Sequence, residues 1–532
     1  MQEKVEEMKK NSFFSGPTFT VAAMIAVTLF SKVLGLVRQM MTASIFAATP
    51  EGIAFSAASG IPLAIFDMLF STAVLGAFLP IYKGKLTSDS KEARSFSSSF
   101  LTAVVLVTSA AALLGILLAR PILLLAAPEL DGETAALAVT LLRMMFPAVV
   151  FAGAAYTLVG ILQSHERFLL PASVSAISNL VMIFYLAFCP MPVGRNSVIG
   201  FAAAYLLSWA VQFLTLAVPL IRERKFPKPV KQILTPDTKL AAVRSLPVMF
   251  GSWLIPMISL IAKSFSSFID GSTIESGAHT GTAIVVYENA FSVFTIAAGL
   301  LTYGICNYIF PKLSERVAKS DEKGFARLIG KSTFASLALI LPICAAVFVL
   351  SDEIVELLYL RGSFSQGLAT AASDALRIFS FAMPAYGMTE LFSRICYSCG
   401  KVRFPMAASL TGISVSMILN AVFLHFGRLS VKTVALSTVL GQTAACGILL
   451  ALCSFVFLKK KNLGLKKIIL LLPGGIVCGV SMWVCRNFLM QILHFSKTFQ
   501  NFLTITIVFA VGFMVYLIWL VPMCIRCARQ TD

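Results

Sequence analysis

Charged side chains are scarce in this sequence. Asp, Glu, Lys and Arg make up 13% of its 532 residues, half the share of about 25% that ordinary soluble domains carry. The shortage is greatest for acids, with 25 Asp and Glu against 43 Lys and Arg. Such a composition excludes a soluble enzyme and a disordered chain.

Histidine is also scarce, with four residues in the chain. The eleven cysteines include two Cys-x-x-Cys pairs, and no histidine lies next to either pair in the sequence. Because metal and redox sites usually need a second pair or nearby histidines, we expect no metal site. A Gly-x-x-x-x-Gly-Lys-Ser/Thr motif is absent as well, which excludes an ATP-driven pump. No loop is long enough for a catalytic domain, so the sequence favours a secondary transporter over an enzyme.

Long apolar runs take the place of the missing charges, since 58% of the residues are hydrophobic. A helix that crosses a membrane needs about 20 apolar residues, whereas the strands of an outer-membrane barrel alternate polar and apolar positions. The sequence therefore predicts an all-α polytopic membrane protein with about 14 transmembrane helices. The predicted spans are 17–47, 54–82, 96–126, 134–163, 168–190, 197–221, 246–269, 281–310, 328–350, 366–398, 404–426, 432–458, 466–490 and 500–525.

Lys and Arg are distributed unevenly between the loops. Thirty of them fall in the two termini and the even-numbered loops, and seven in the odd-numbered loops. Because cytoplasmic loops are enriched in Lys and Arg, both termini are predicted to lie in the cytoplasm. The same rule accounts for the net charge of +18 without a nucleic acid partner. Lys32 and Arg38 lie in the first apolar run, so we expect no cleavable signal.

The longest charged break, residues 222–245, is basic and contains three prolines. We interpret it as a cytoplasmic linker between two helical lobes. The N-lobe would cover residues 1–221 with helices 1–6, and the C-lobe core residues 246–458 with helices 7–12. Helices 13 and 14 and the C-terminal tail would occupy residues 459–532. Two lobes fit a transporter built from repeats that rock against each other, and nothing requires more than a monomer.

Ionisable residues inside the apolar runs are the candidate functional residues, because each costs about 2.5–3.5 kcal/mol at membrane depth. Lys32 and Arg38 are separated by six residues, which places them about 120° apart on a helix. They can therefore line two sides of one cavity and attract an anion. Phosphate is the natural choice, since Arg binds it through two hydrogen bonds. Asp67, Lys263 and Glu288 are candidates for ion coupling or gating, and the last two could pair.

A series of short motifs follows the first helix in a fixed order. Residues 30–38 read Phe-Ser-Lys-Val-Leu-Gly-Leu-Val-Arg. Further motifs occupy residues 76–82, 146–147, 160–164, 168–171, 310–314, 361–364 and 394–397. In their order and spacing, from about residue 20 to residue 425, they resemble the MurJ/MviN lipid II flippases. That family belongs to the multidrug, oligosaccharidyl-lipid and polysaccharide exporter superfamily.

The resemblance implies a protein of the bacterial cytoplasmic membrane that serves peptidoglycan and cell-wall synthesis, and hence cell shape. Members move lipid II, a lipid-linked glycan pyrophosphate, from the inner to the outer leaflet by alternating access. The resemblance also implies two lobes around a central cationic cavity and a groove for the lipid tail at the last two helices. Transport would depend on the membrane potential or a monovalent ion gradient, with no cofactor. The expected partners are the lipid-linked substrate and membrane lipids.

The same resemblance assigns substrate binding to Ser31, Lys32, Arg38 and Asn289. The family's first-helix basic pair is usually two arginines, and here the first is Lys32. Asn289 lies in a Tyr-Glu-Asn-Ala segment where the family reads Tyr-Ala-Asn/Asp-Arg, so an arginine is missing. Lys263 falls where relatives place a polar or acidic group linked to sodium, and we expect its ammonium to replace that ion.

Three other functions stay open from the sequence. A flippase for another polyprenyl-pyrophosphate-linked oligosaccharide would share the cationic cavity and differ in its sugar contacts. A drug/cation antiporter of the same superfamily would need an acidic cavity, for which Asp67, Glu288 and Glu390 are available. A scaffold for cell-wall enzymes would not need Lys32 and Arg38.

Overall fold

The computed structural model describes residues 17–68, 78–188, 193–233, 235–457, 471–492 and 495–529, which contain helices and no strand. In the first half of the chain these are α1 (Pro17–Ile45), α2 (Pro50–Phe66), α3 (Leu79–Ser88), α4 (Ser90–Leu117), α5 (Ala119–Ala126), α6 (Gly132–Met145), α7 (Ala148–Ser164), α8 (Leu169–Phe188), α9 (Arg195–Arg222) and α10 (Pro236–Ser252). The second half has α11 (Leu254–Ser266), a 3₁₀ turn (Gly271–Thr273), α12 (Thr282–Ala318), α13 (Glu322–Val349), α14 (Ser351–Tyr359), α15 (Gln366–Ser380), α16 (Ala382–Ser398), α17 (Arg403–His425), α18 (Val431–Phe457), α19 (Leu471–Ile492) and α20 (Lys497–Arg529).

Ten helical stretches in the described residues are long and apolar enough to cross a membrane. They are α4, α6 with α7, α8, α9, the first 18 residues of α12, α13, α17, α18, α19 and α20. The predicted all-α polytopic fold is therefore confirmed, and the chain is a multi-pass membrane protein. The count of 14 spans stays a prediction. Two further apolar helices, α2 and α11, are shorter, with 17 and 13 residues.

Four of the predicted spans are each interrupted within the described residues, and proline lies at or near every break. Pro147 separates α6 from α7. The other three breaks are at Leu118, Trp253 and Phe381, and each is followed three residues later by a proline: Pro121, Pro256 and Pro384. Proline has no N–H to bond the carbonyl four residues earlier, so the helix is interrupted there. An apolar run does not reveal such a break because hydropathy is unchanged across it.

Short polar side chains begin several of these helices. Asp89 caps α4 by accepting the Lys91 N–H, and Ser365 caps α15 by accepting the Leu368 N–H. Such N-caps satisfy backbone donors that have no partner inside the helix. The caps fix where these helices begin at the ends of the apolar runs.

The described chain packs into two compact units, and both are discontinuous in sequence. The first unit takes the described residues of Met1–Met41, Leu69–Leu118 and Leu142–Leu246, and the second those of Thr42–Met68, Ala119–Leu141 and Pro247–Asp532. Residues early in the chain therefore pack with residues far beyond them in the second unit. The predicted lobe boundaries at 221 and 245 stay a prediction.

The core of the first unit contains a stack of aromatic rings around Phe78, which is fully buried. Its ring centroid lies 5.2 Å from that of Tyr82, 5.4 Å from that of Phe96 and 4.8 Å from that of Phe100. Gly160 of α7 makes room for this ring, because a Cβ there would lie 2.8 Å from it. Aromatic packing thus joins α3, α4 and α7.

In the second unit, α17 and α18 approach closely at two glycines. A Cβ on Gly441 would lie 2.7 Å from the Gly412 carbonyl oxygen and 2.9 Å from the Ser416 Cβ. Small residues allow such backbone contact between membrane helices. The close crossing of α17 and α18 therefore depends on glycine at positions 412 and 441.

Substituting Gly441→Val is expected to lower the free energy of unfolding by about 1–3 kcal/mol, the usual cost of overpacking. Gly447→Val is the matched control, since Gly447 lies on the same helix and a Cβ there would meet nothing within 4 Å. Both changes add the same β-branched side chain. The thermal unfolding midpoint of the purified protein in detergent measures the difference. Equal midpoints for the two variants would contradict a steric role for Gly441.

Candidate functional site

A buried ion pair joins three helices of the second unit. Lys263 lies on α11, and its side chain is 6% exposed. Its Nζ lies 3.1 Å from Glu288 Oε1 on α12 and donates to the Ser56 carbonyl oxygen on α2 at 2.9 Å. Gly60, one turn after Ser56, leaves room for the ammonium, since a Cβ there would lie 3.1 Å from Nζ. The structure thus brings together two of the three residues predicted for ion coupling or gating.

The arrangement matters because both charges lie on apolar helices, and Glu288 lies in a stretch apolar enough to cross a membrane. Each would be costly alone, and the pair compensates both. Lys263 also uses a second donor on a helix carbonyl, so its ammonium contacts two oxygens from two different helices. A shift of α2, α11 or α12 relative to the others would have to break one of these contacts. The pair therefore couples the positions of three helices.

In the first unit, α1 carries three of the predicted substrate-binding residues. The buried Ser31 donates its hydroxyl hydrogen bond to the Val27 carbonyl oxygen of its own helix at 2.9 Å. Lys32 is exposed on the neighbouring position. Arg38 is half-buried, and its Nη1 lies 3.6 Å from the Met182 Sδ on α8. Their roles in substrate binding stay a prediction.

Asn179 on α8 fixes this part of α1, and the sequence analysis missed it. Its Nδ2 donates to the Ser31 carbonyl oxygen at 3.3 Å. The amide also lies next to Gly35, where a Cβ would be 3.4 Å from the same nitrogen, an ordinary contact distance. The available signal was an uncharged polar residue within an apolar run. Asn179 orients the helix turn that carries Lys32.

Asn289 and Asp67 are the remaining predicted site residues, and both lie in the second unit. Asn289 is buried and follows Glu288, so it points about 100° away from it around α12. Its Nδ2 donates to the Val285 carbonyl oxygen in the same helix at 2.9 Å. Asp67 is half-buried in the second unit at the C-terminal end of α2. Substrate binding by Asn289 and gating by Asp67 stay predictions.

A second charged cluster, which sequence reasoning did not single out, lies in the second unit around α14. Asp352 Oδ2 accepts from Arg377 of α15 at 2.7 Å and from Arg486 of α19 at 3.1 Å. Arg486 Nε donates to the buried Glu353 Oε1 at 2.6 Å. Burial raises the pKa of the Glu353 carboxyl above its ordinary value, against the opposing effect of the Arg486 guanidinium. The signal in the sequence was the acidic first turn of residues 351–359.

The same cluster extends to α20 through Glu356. Lys497 Nζ lies 3.0 Å from Glu356 Oε1, and Asn501 Nδ2 donates to Glu356 Oε2 at 3.0 Å. These contacts attach α19 and α20 to α14 by charge as well as by apolar packing. Within the described residues, no three or more His, Cys, Asp or Glu side chains are grouped to hold a metal ion.

Comparison with known proteins places the chain in a family. The family model described as "Lipid II flippase MurJ" matches residues 42–509. The "Probable lipid II flippase MurJ" of Rickettsia prowazekii is 25% identical over 401 residues, covering 74% of this chain and 76% of the relative. That of Bdellovibrio bacteriovorus is 26% identical over 457 residues, covering 85% of this chain and 84% of the relative.

Solved structures show the same fold. "Lipid II flippase MurJ, inward closed conformation" aligns with a TM-score of 0.70 at 20% identity, covering 93% of this chain and 97% of that one. An inward-facing multidrug resistance MATE transporter of the MOP superfamily aligns with a TM-score of 0.65 at 14% identity, covering 83% and 99%. The resemblance seen in the motifs is therefore confirmed over most of the sequence: this chain belongs to the lipid II flippase MurJ family.

Proposed function

We propose that this protein flips lipid II from the inner to the outer leaflet of the bacterial cytoplasmic membrane by alternating access. The observation that carries the proposal is the family match over residues 42–509. The relatives in Rickettsia and Bdellovibrio are named as probable lipid II flippases. The protein acts as a secondary transporter that supplies peptidoglycan precursor to the outer surface. It works as a monomer with both termini in the cytoplasm, in line with the loop charges.

The chemistry of α1 supports an anionic substrate. Lys32 is exposed and Arg38 half-buried on a membrane helix, where a cation is retained when it has an anion or cavity to face. The pyrophosphate of lipid II supplies that anion, and the Arg38 guanidinium can bind it through two hydrogen bonds. Ser31 and Asn289 complete the proposed contacts.

The second unit supports a gating role for the buried pair. Lys263 bridges Glu288 and the Ser56 carbonyl oxygen, so its ammonium holds the position that a monovalent cation would otherwise take. Transport then draws on the membrane potential or on a monovalent ion gradient that changes this pairing. The same pair weakens the antiporter alternative, because the Glu288 carboxylate already contacts a lysine.

Complementation tests the function directly. Bacteria depleted of their own lipid II flippase are expected to grow when they express this protein, and to lyse with an empty vector. The amount of lipid II accessible on the outer leaflet should return towards the undepleted level. Failure of a well-expressed, membrane-inserted protein to restore both growth and outer-leaflet lipid II would contradict lipid II as the substrate. Other polyprenyl-linked glycans would then be the substrates to test.

A further inference from the structure

A stripe of uncharged polar side chains runs along α8, a helix long and apolar enough to cross a membrane. We call Ser175, Ser178 and Asn179 the polar stripe. At about 100° per residue, the three occupy about 100° of the helix surface, and Met182 lies within the same sector. Apolar side chains would serve a membrane span equally well. The polar stripe therefore calls for an account of its own.

The opposite side of α8 has the composition of a lipid-facing surface. Leu180, Phe184 and Phe188 are 47%, 62% and 68% exposed. They are centred about 170° around the helix from the polar stripe. Lipid tails are as apolar as these side chains, so this side suits contact with lipid. The polar stripe faces away from it, towards other parts of the first unit.

The polar stripe meets the helix that carries the two candidate cations. Asn179 Nδ2 donates to the Ser31 carbonyl oxygen of α1 at 3.3 Å. Met182 Sδ lies 3.6 Å from Arg38 Nη1. Three residues separate Asn179 from Met182, a rise of about 4.5 Å along α8. The amide of Asn179 thus lies about one helical turn from the side chain that contacts the Arg38 guanidinium.

Two members of the polar stripe keep acceptors that no donor among the described residues reaches. Asn179 is 9% exposed and uses its Nδ2, whereas its Oδ1 accepts no hydrogen bond there. Ser175 is exposed, and its hydroxyl has no partner in the same part of the chain. A polar group that leaves water without a partner costs free energy. A ligand with hydroxyl or amide N–H donors would satisfy both groups.

We propose that the polar stripe binds the sugar that is attached to the pyrophosphate of the transported lipid. The inference rests on the proposed function, in which Lys32 and Arg38 bind the pyrophosphate. That sugar is joined to the pyrophosphate through one oxygen atom, so it must lie beside the cations. Asn179 Oδ1 accepts from the N–H of a 2-acetamido group or from a hydroxyl, and Ser175 exchanges a hydrogen bond with a second hydroxyl. The substrate class is a polyprenyl-pyrophosphate-linked amino sugar.

Two ligands that differ only in the sugars isolate this contact. The purified full chain in detergent is titrated with lipid II and with the same polyprenyl pyrophosphate without sugars, and the two dissociation constants are measured. The chain and the pyrophosphate are common to both ligands, so the ratio of the constants reports the sugar contacts. We expect the wild type to bind lipid II about tenfold more tightly, as for one or two hydrogen bonds.

Two variants assign the contact to the polar stripe. Ser175→Ala removes an exposed hydroxyl without a protein partner, so the fold should be unaffected and the ratio should fall about two- to tenfold. Asn179→Leu keeps the volume of the side chain and removes both of its hydrogen-bonding atoms. It should bring the ratio close to one. It should also weaken binding of both ligands, because α1 loses its contact at Ser31.

Ser173→Ala is the matched control. Ser173 lies on the same helix about 160° around from Ser175, and its hydroxyl donates to the Leu170 carbonyl oxygen at 2.9 Å. The substitution is chemically identical to Ser175→Ala. It should leave the ratio at the wild-type value.

The outcomes separate this inference from the proposed function. Equal affinity of the wild type for the two ligands, or an unchanged ratio in both variants, would overturn the sugar contact and leave the pyrophosphate site standing. If Asn179→Leu weakened both ligands by the same factor, Asn179 would only position α1, which also overturns it. Failure of the wild type to bind either ligand would contradict the proposed function itself, and the sugar contact with it.

Discussion

Arg38→Ala is expected to abolish rescue of flippase-depleted bacteria although the protein still reaches the membrane. The guanidinium is the proposed contact to the substrate pyrophosphate, and a hydrogen bond to a charged group contributes about 1.5–3 kcal/mol. Affinity for lipid II should therefore fall roughly 10- to 150-fold. Binding of lipid II to the purified variant, measured beside complementation, separates loss of affinity from loss of expression.

Two substitutions serve as controls for this result. Arg38→Lys keeps the positive charge and loses the planar fork, so it should give partial rescue. Arg327→Ala removes an exposed arginine of α13 and should rescue fully. If Lys32→Ala combined with Arg38→Ala rescued as well as the wild type, substrate binding by α1 would be wrong and a scaffold role would gain support. Drug efflux that persists in Arg38→Ala would support the antiporter instead.

Lys263→Met is expected to destabilise the second unit markedly. It leaves the Glu288 carboxylate at membrane depth without its ammonium, and breaking a buried pair from one side costs about 3–5 kcal/mol. Because Glu288 is 24% exposed, solvent reduces the loss, and we expect about 1–3 kcal/mol. Unfolding of the purified protein in detergent measures it.

A double-mutant cycle isolates the pair from other effects of the methionine. Lys263→Met with Glu288→Leu removes both charges and should recover most of the lost stability. Lys319→Met is the control, since its pair with Glu315 is exposed and its loss should have no measurable effect. A double variant no more stable than Lys263→Met alone would show that the pair does not stabilise the unit.

The length of the apolar runs predicted most of the helices. A helix that lies in lipid must be apolar, and this property can be read directly from the sequence. It did not predict the interruptions at Trp253 and Phe381, where composition is unchanged and the missing N–H of Pro256 and Pro384 decides. It counted the runs that contain α2 and α11 as spans, although these two helices have 17 and 13 residues. Local backbone chemistry, rather than hydropathy, governs these details.

The residues of the candidate site likewise fall into those that the sequence predicted and those that it did not. Charge at membrane depth identified Lys263 and Glu288, and their pairing followed from the need of each for a partner. Asn179 and Arg486 were missed because their partners lie 148 and 133 positions away in the chain. A single sequence gives no register between distant helices, so such contacts require the fold itself.

The discontinuity of the second unit has a consequence for synthesis. Ser363 donates to the Ile45 carbonyl oxygen, 318 positions earlier, and Lys263 binds Ser56, 207 positions earlier. Elongation at about 5–20 residues per second places roughly 15–60 s between the emergence of Ile45 and that of Ser363. Throughout that interval, residues 42–68 have been synthesised but lack the later residues that donate hydrogen bonds to their carbonyl oxygens. Assembly of this unit is therefore completed after most of the polypeptide has left the ribosome, and a chain truncated before α11 leaves α2 without the Lys263 contact.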